Sequence, residues 1–535
     1  KVRYDKFKKE NPKANVPELI WRRPNGRIVS IPKRVFDQLN PFKISTKTVQ
    51  QARGLIITGA QFGSTTFLSH LDSLKNYSEK TGYPLVVMPI KYGPITTDET
   101  GLTSTFPDEL AGHMIFEDIL LAEGNLNLNV ARFRPTLTKF LTDQVCQMGG
   151  HVSQIYAAPV HELEHRSRLE KVNAYPKAIM TTGSVTVPNY SVDKLGQQDR
   201  TGELAEENHV FGALLVEFDK DNPSRFHFRH LTADENGCFY DIDTKRGGAV
   251  WITPDEVTHK PDAVSALILG DWHTGKTEPT VRNVTFGDGG MVQKLKPQDI
   301  CLHDFVDCDS VSHWEKNQAP RRAWKGPLQH DSLEIELKEA VAELKWMGVQ
   351  APFAKLHVVC SNHNEYVREY VETMRWTKDD INLGIGAELF SAMTNSLKDK
   401  KDLLKVNADP IDPVVWYFNK FAPEVHSLER KDTLLLPREM KDLSKAILAS
   451  MHGDIGPGGK QTRSNASFLK LNQRVVLGHN HTATIYHWVM RVGTSTPRMQ
   501  HYVTTPSTSW TNTHCAIFEN GQAMLLNIIH GKYHR

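Results

Sequence analysis

None of the cysteines in this chain belongs to a C-x-x-C pair. The six of them, Cys146, Cys238, Cys301, Cys308, Cys360 and Cys515, are scattered. That spacing argues against a disulfide framework and a thiolate zinc site, and for reduced thiols in a cytoplasmic setting. No apolar run approaches the ~18 residues of a membrane span, and no secretory apolar region is present. Internal repeats and low-complexity tracts are missing as well. Nor does one sign of charge dominate, since 64 Lys and Arg stand against 62 Asp and Glu over 535 residues. What remains is a soluble globular protein with length for two to four domains. The first residue is Lys1, so the natural N-terminus is expected to lie upstream.

The charge balance hides an asymmetry. Residues 1–54 hold 14 Lys and Arg against 4 Asp and Glu. Such a segment suits an anionic partner such as DNA, with Arg22, Arg23, Lys33 and Arg34 as candidate phosphate contacts; the competing reading is a solvated arm. Next, "GLIITGAQFG", a helical pattern at about 65–81 and "YPLVVMPI" form a β-α-β unit. The turn Gly59–Thr65 is one residue short of a phosphate loop and lacks its lysine, so a plain strand-to-helix turn is expected. Three regions follow from this pass: a basic segment 1–54, an α/β N-terminal domain 55–255, and a C-terminal domain 256–535 with a helix-rich insertion at 377–445.

Within "PVHELEHRSR", residues 161–165 spell H-E-x-x-H, the zinc-protease signature. Charge on nearly every side predicts a solvated helix instead, and no convincing third ligand follows. The protease reading is set aside.

The C-terminal region carries a stronger pattern. Five times a short apolar strand runs directly into Asp, Asn or His: "VSALILGDWH", "DICLHDFVD", "LHVVCSNHN", "AILASMHGD" and "RVVLGHNH". Buried strands read as continuous apolar runs, and α/β proteins place ligands at the carboxyl ends of such strands. The clusters supply Asp271, His273, Asp304, Asn362, His363, His452, His479 and His481. This mixed carboxylate, imidazole and amide set suits Mn²⁺, Fe²⁺, Zn²⁺ or Mg²⁺.

Gly270-Asp271-Trp272-His273, His303-Asp304-Phe305-Val306-Asp307, Ser361-Asn362-His363, His452 and Gly478-His479-Asn480-His481 resemble the calcineurin-like metallophosphoesterases. The order in that superfamily is D-x-H, G-D-x-x-D, G-N-H-[DE], H and G-H-x-H. The resemblance covers roughly 260–530. It implies a four-layer α/β/β/α domain, here preceded by a separate α/β domain, and two divalent ions, with Mn²⁺ expected. By the same resemblance Asp271, His273 and His481 hold one ion, Asn362, His452 and His479 hold the other, and Asp304 bridges. Asp307 orients a ligand, and His363 protonates the leaving oxygen. His303 and Ser361 stand where the family has glycine, and Asn364 replaces its acidic residue, although Glu365 is next in line.

Asp271-Trp272-His273-Thr274-Gly275 looks like the start of SbcD-type DNA exonucleases. The stretches 451–468 and 175–190 resemble large phage-encoded phosphoesterases. Together these imply a DNase acting in host-DNA degradation in the bacterial cytoplasm, with DNA, a second copy of the chain or another phage early protein as partners. A small-substrate phosphodiesterase or phosphatase, and a non-catalytic DNA-binding scaffold with a structural dinuclear site, are the rival expectations.

Overall fold

The computed structural model describes residues 19–22, 28–31, 40–90, 106–131, 133–168, 174–190, 193–194, 197–198, 200–312, 318–328, 330–398, 409–500, 503 and 505–535. It is a mixed α/β chain with several sheets. The sheet that matters first runs His426–Ser427, Lys355–Val358, Asp299–Leu302, Val264–Ile268, Thr513–Phe518, Ala523–Asn527 in spatial order. Its first four strands are parallel, and the last two close as an antiparallel hairpin over the Asn520-Gly521 turn. Gly521 has φ +81, which the turn demands.

Alternation along these strands divides the core in two. Leu267, Ile300, Leu302, Leu356, Val358, Ala516 and Phe518 face one way. There they pack with residues of helices Pro279–Phe286, Leu333–Gln350, Asn362–Glu372 and Pro413–Phe421. Ala266, Ile268, Cys301, Cys515 and Ile517 face the other way and meet a second sheet through Leu163, Met180, Ala449, Val476 and Ile485. Period-2 burial of both strand faces explains why these segments read as unbroken apolar runs.

The second sheet has ten strands, and it crosses the boundary expected near residue 255. Leu435–Leu436, Ile447–Leu448, Arg474–Leu477, Val489–Arg491 and Thr484–Tyr486 come from the C-terminal half. Glu162–Arg166, Lys177–Thr181, Ser153–Tyr156, Leu126–Asn129 and Ile119–Leu121 come from the N-terminal half. The seam is Ile485 opposite Leu163 and Tyr486 opposite Glu162. The two halves therefore share a sheet, whereas the sequence suggested separate units. Pairing between strands more than 300 residues apart leaves no periodic trace in either one.

The N-terminal β-α-β unit is present: Gly54–Gln61 and Leu85–Ile90 are parallel, joined by the helix Leu68–Thr81. Gly59 sits inside the first strand, and a Cβ there would lie 2.8 Å from the Gly183 carbonyl oxygen. Its glycine serves close strand approach and not a phosphate. Of the candidate DNA contacts, Arg23, Lys33 and Arg34 lie outside the described residues, and Arg22 ends the strand Leu19–Arg22 without a described side chain. In the 377–445 region the described part contains helices Leu383–Lys398 and Pro413–Phe421, followed by two short strands.

The H-E-x-x-H stretch is corrected by the structure. Glu162–Arg166 is a strand, not a solvated helix, and His161, Glu162, Leu163 and His165 are buried. Residues four apart on a strand are ~13 Å apart, so these two histidines cannot share one ion. His161 contacts the Thr232 hydroxyl and the Thr182 carbonyl at 3.2 and 3.3 Å. His165 Nδ1 lies 2.8 Å from the Ala483 carbonyl. Glu162 accepts from the Phe140 and Leu141 amides at 3.0 and 2.8 Å, and burial pushes its carboxyl up to about 7. The charges that suggested solvent are satisfied internally.

Burial depresses His70, His165 and His230 to about 4 each. The folded state keeps them neutral, while the unfolded chain binds protons below ~6.5. Their stabilising effect is therefore complete above that pH and is lost as pH falls toward 4, at about 1.4 kcal/mol per histidine per pH unit. Urea midpoints measured from pH 7.5 to 5 should fall steadily, and a flat profile would contradict this burial.

Candidate metal centre

The five strand ends converge at one place, where the two packed sheets present their carboxyl edges. Asp271 follows Val264–Ile268, and Asp304 follows Asp299–Leu302. Main-chain bonds extend this pair of strands beyond its ladder, from the Trp272, His273 and Thr274 amides to the carbonyls of His303, Asp304 and Phe305 at 2.8–2.9 Å. On its other side the Asp271 amide donates to Gly493 O at 3.1 Å. Both carboxylates are thereby fixed from the main chain.

Distances then define the cluster. His452 Nε2 is 3.0 Å from Asp304 Oδ2, and His273 Nε2 and His363 Nε2 are 3.8 and 3.9 Å from the same oxygen. His481 Nε2 is 3.2 Å from Asp271 Oδ2 and 3.3 Å from His273 Nε2. His479 Nδ1 lies 3.0 Å from Asn362 Oδ1, and its amide donates to Asp271 Oδ2 at 2.8 Å. Among the described residues, three triads have ligand atoms within 4.8 Å of one another: Asp271, Asp304, His481; Asp304, His452, His479; and His273, Asp304, His363. Asp304 belongs to all three.

The donor chemistry fits a divalent cation. Asp271 Oδ1 and Asp304 Oδ1 are buried with no hydrogen-bond partner, an arrangement that costs free energy unless a positive charge is supplied. Burial, reinforced by Asp304 and opposed by His452, holds the Asp271 carboxyl well above its usual range. Burial also disfavours the charge on Asp304, yet His452 and His363 outweigh it and hold this carboxyl well below the usual range. Burial drives His481 well down and His479 to about 4. A neutral imidazole is the form that binds metal.

The backbone is strained where these side chains are presented. His273, Asp304, His479 and His481 all have positive φ, between 42° and 73°. For residues with a Cβ this conformation is uncommon, and it concentrates at functional sites. Gly478 shows the crowding directly. A Cβ there would lie 2.3 Å from Asp271 Oδ1 and 3.1 Å from His452 Nδ1. At position 303 there is room for an imidazole. His303 is fully buried against His452, with ring centroids 5.5 Å apart, and burial keeps it neutral with a pKa near 3.

Asp307 and His363 form a second tier. Asp307 Oδ1 meets His273 Nδ1 at 2.9 Å, and its other oxygen pairs with Lys276. Burial works against the Asp307 charge, but His273 and Lys276 hold its pKa below the carboxylate range. The carbonyl of Asp307 binds His363 Nδ1, so the Nε2 edge of that ring faces Asp304. Asn364 and Glu365 do not orient this histidine. Asn364 instead completes a capping box with Ser361 at the start of helix Asn362–Glu372 and donates to Asp412 at 3.1 Å, while Glu365 takes Arg430. Ser361 in the glycine position is thus a helix N-cap.

Sequence reading passed over three residues here. Lys276 lies five positions after Asp271 and pins Asp307. Arg491 is fully buried and donates to the Gly478 carbonyl at 2.8 Å and to Asn465 Oδ1 at 2.6 Å. Trp510 packs edge-on against His481, with centroids 4.3 Å apart. Only Lys276 carried a sequence signal, its nearness to the D-x-H motif. The cluster opens into a cleft of about 750 Å³ lined by Lys139, Arg166, Lys276, Arg463, Tyr366 and Trp510 among others. Lys139 and Arg166 come from the N-terminal half, and Arg166 lies on the strand that carries the H-E-x-x-H pattern.

With this geometry in hand, one relative among curated proteins is informative. The chain is 26% identical over 500 residues to Protein A1 of Escherichia phage T5, covering 91% of this chain and 83% of that one. The similarity supports a phage origin. No protein-family model and no solved structure matches the chain. Among the described residues no helix is long and apolar enough to cross a membrane.

Gly478→Ala tests the packing of the centre. The added methyl must displace Asp271 Oδ1 or unwind the loop, so metal content after dialysis against Mn²⁺ should fall well below wild type in a protein that still unfolds cooperatively. Unchanged metal content would show that Asp271 is not held where the structure places it.

Proposed function

We propose that this chain is a metal-dependent phosphodiesterase that hydrolyses DNA, built as a calcineurin-like metallophosphoesterase with two divalent ions sharing Asp304. The observation that carries the reading is the convergence of five separated motifs on Asp304 at the carboxyl ends of strands from two packed sheets. The layering supports it, with helices on one face of the six-stranded sheet and the ten-stranded sheet on the other. Similarity to a phage protein is in keeping with a role in host-DNA degradation.

Divalent cations held by Asp271, His273, His481, Asp304, Asn362, His452 and His479 would neutralise phosphate charge and acidify water, and Mn²⁺ suits this ligand set. The chain's own groups do the rest. Asp307 fixes the ring of His273 through Nδ1 and the ring of His363 through its carbonyl. Because Nδ1–H donates to that carbonyl, the imidazolium form of His363 is the one that offers a proton from Nε2, at the cleft edge of the cluster. From there it protonates the departing sugar oxygen. Lys139, Arg166, Lys276 and Arg463 line the cleft and set a positive field for a phosphodiester backbone. Arg22, Arg23, Lys33 and Arg34 remain proposed tethering residues. DNA as partner, the host cytoplasm as location, and self-association or docking of another phage protein belong to the same proposal.

A small-substrate phosphodiesterase is the competing reading, favoured by the wall that the N-terminal strand Glu162–Arg166 builds over the cleft. Plasmid DNA and bis(p-nitrophenyl) phosphate, each with Mn²⁺ and with EDTA, separate the readings. DNA cleavage that requires Mn²⁺ supports the DNase. Cleavage of the small ester alone supports its rival, and no hydrolysis of either by metal-loaded protein indicates a scaffold. Asp304→Ala should lower hydrolysis by roughly three orders of magnitude or more while the fold persists. His363→Asn should slow DNA cleavage by about 10²–10⁴-fold and largely spare a nitrophenyl ester, whose leaving group needs no acid. Equal impairment on both esters would remove His363 from the acid role.

A further inference from the structure

In the two-ion reading, the ligands of the second ion come from different sheets. Asn362 follows Lys355–Val358 of the six-stranded sheet, and His452 follows Ile447–Leu448 of the ten-stranded one. Ligand atoms must sit within about 0.2 Å of their coordinating positions. Apolar contact between packed sheets is non-directional and does not set a spacing that finely.

A largely buried ion pair crosses from one sheet to the ligand loop of the other. Arg430 Nη1 and Nη2 donate to Asp454 Oδ1 and Oδ2 at 2.7 and 2.8 Å. Asp454 is 6% exposed and lies two residues after His452. A two-pronged guanidinium–carboxylate pair fixes direction as well as distance. Arg430 Nε also donates to Glu365 Oε1 at 3.4 Å, a longer contact to the helix that begins at Asn362.

Both ends of the pair rest on the main chain. The Leu428 amide donates to the Val358 carbonyl at 2.9 Å, so the segment bearing Arg430 stays alongside the strand that leads to Asn362. The turn around Arg430 is closed by the Glu429 amide on Asp432 Oδ2 at 2.8 Å and the Asp432 amide on the Glu429 carbonyl at 3.1 Å. On the other side, the His452 carbonyl accepts the Gly478 amide at 2.8 Å, and the Asp454 carbonyl accepts the Thr462 amide at 3.0 Å. Arg430 is not among the described residues that line the metal cleft. Its contacts are to the ligand loops, not to the space where substrate would lie.

We propose that Arg430 is a positioning residue for the second ion. Through Asp454 it sets the spacing between His452 and Asn362, and it touches neither metal nor substrate. The inference rests on the two-ion reading of the cluster.

Hydrogen exchange of the metal-free full chain and Mn²⁺ titration calorimetry test it together. Arg430→Gln should speed amide exchange by at least about tenfold in residues 451–455 and 361–366, and leave 270–274 and 303–307 as in wild type. It should keep one Mn²⁺ at wild-type affinity and weaken the second by about 10–100-fold, the usual cost of losing a partner behind a metal ligand. Arg430→Lys keeps the charge without the fork and should fall between. Arg430→Gln combined with Asp454→Asn leaves no buried unpaired charge, and it should show the same selective loss should the single variant fail to fold. Wild-type exchange in both segments, exchange that rises evenly along the whole chain, or equal weakening of both ions would overturn the proposal. A wild type that takes up a single Mn²⁺ at the cluster would overturn the two-ion reading and with it the effect on a second ion. Raised exchange confined to the two segments would then place the failure in the ion count and not in the bridge.

Discussion

Two carboxylates buried without enough positive charge are the constraint on which the rest depends. Asp271 and Asp304 are at most 1% exposed, and each keeps one oxygen unpartnered. Removing such groups from water costs several kcal/mol apiece unless something compensates. Asp304 raises His452 above the usual imidazole range against the effect of burial, but burial keeps His479 and His481 neutral, and His273 and His481 face each other Nε2 to Nε2. A divalent cation would resolve this conflict. The surrounding architecture holds the two carboxylates in place.

That holding is spread through the fold. Main-chain bonds from Gly493 and between the loops after two parallel strands fix the carboxylates. Gly478 permits contact that any side chain would block. Arg491 ties the ligand loops from behind, and burial lowers its own pKa to about 10 despite the pull of Asp271 and Asp454. Four positive-φ residues carry the strain of presenting four side chains toward one point. Strain of this kind persists only where the surroundings over-determine it. The shared ten-stranded sheet adds a further constraint, because it makes the cleft a product of both halves of the chain.

The clustering of these Asp and His side chains was legible in the sequence because each directly follows an apolar strand, a local pattern. The β-α-β unit was legible for the same reason. Long-range pairing was not. Nothing in Glu162–Arg166 announces Thr484–Tyr486 as its neighbour, so an inter-half strand read as a solvated helix. Composition misled there because Glu162, His161 and His165 are satisfied by partners remote in sequence. The orientation of His363 was likewise hidden. Its partner is a backbone carbonyl of Asp307, which no side-chain motif encodes.

The proposed centre depends on Asp304 as the shared ligand. Anomalous scattering from crystals of the Mn²⁺-loaded chain tests this most directly. Two peaks are expected, both within coordinating distance of Asp304, one also contacting Asp271 and His481 and the other His452 and His479. A single bound ion that does not touch Asp304, or full Mn²⁺ occupancy elsewhere in the molecule with this cluster empty, would contradict it.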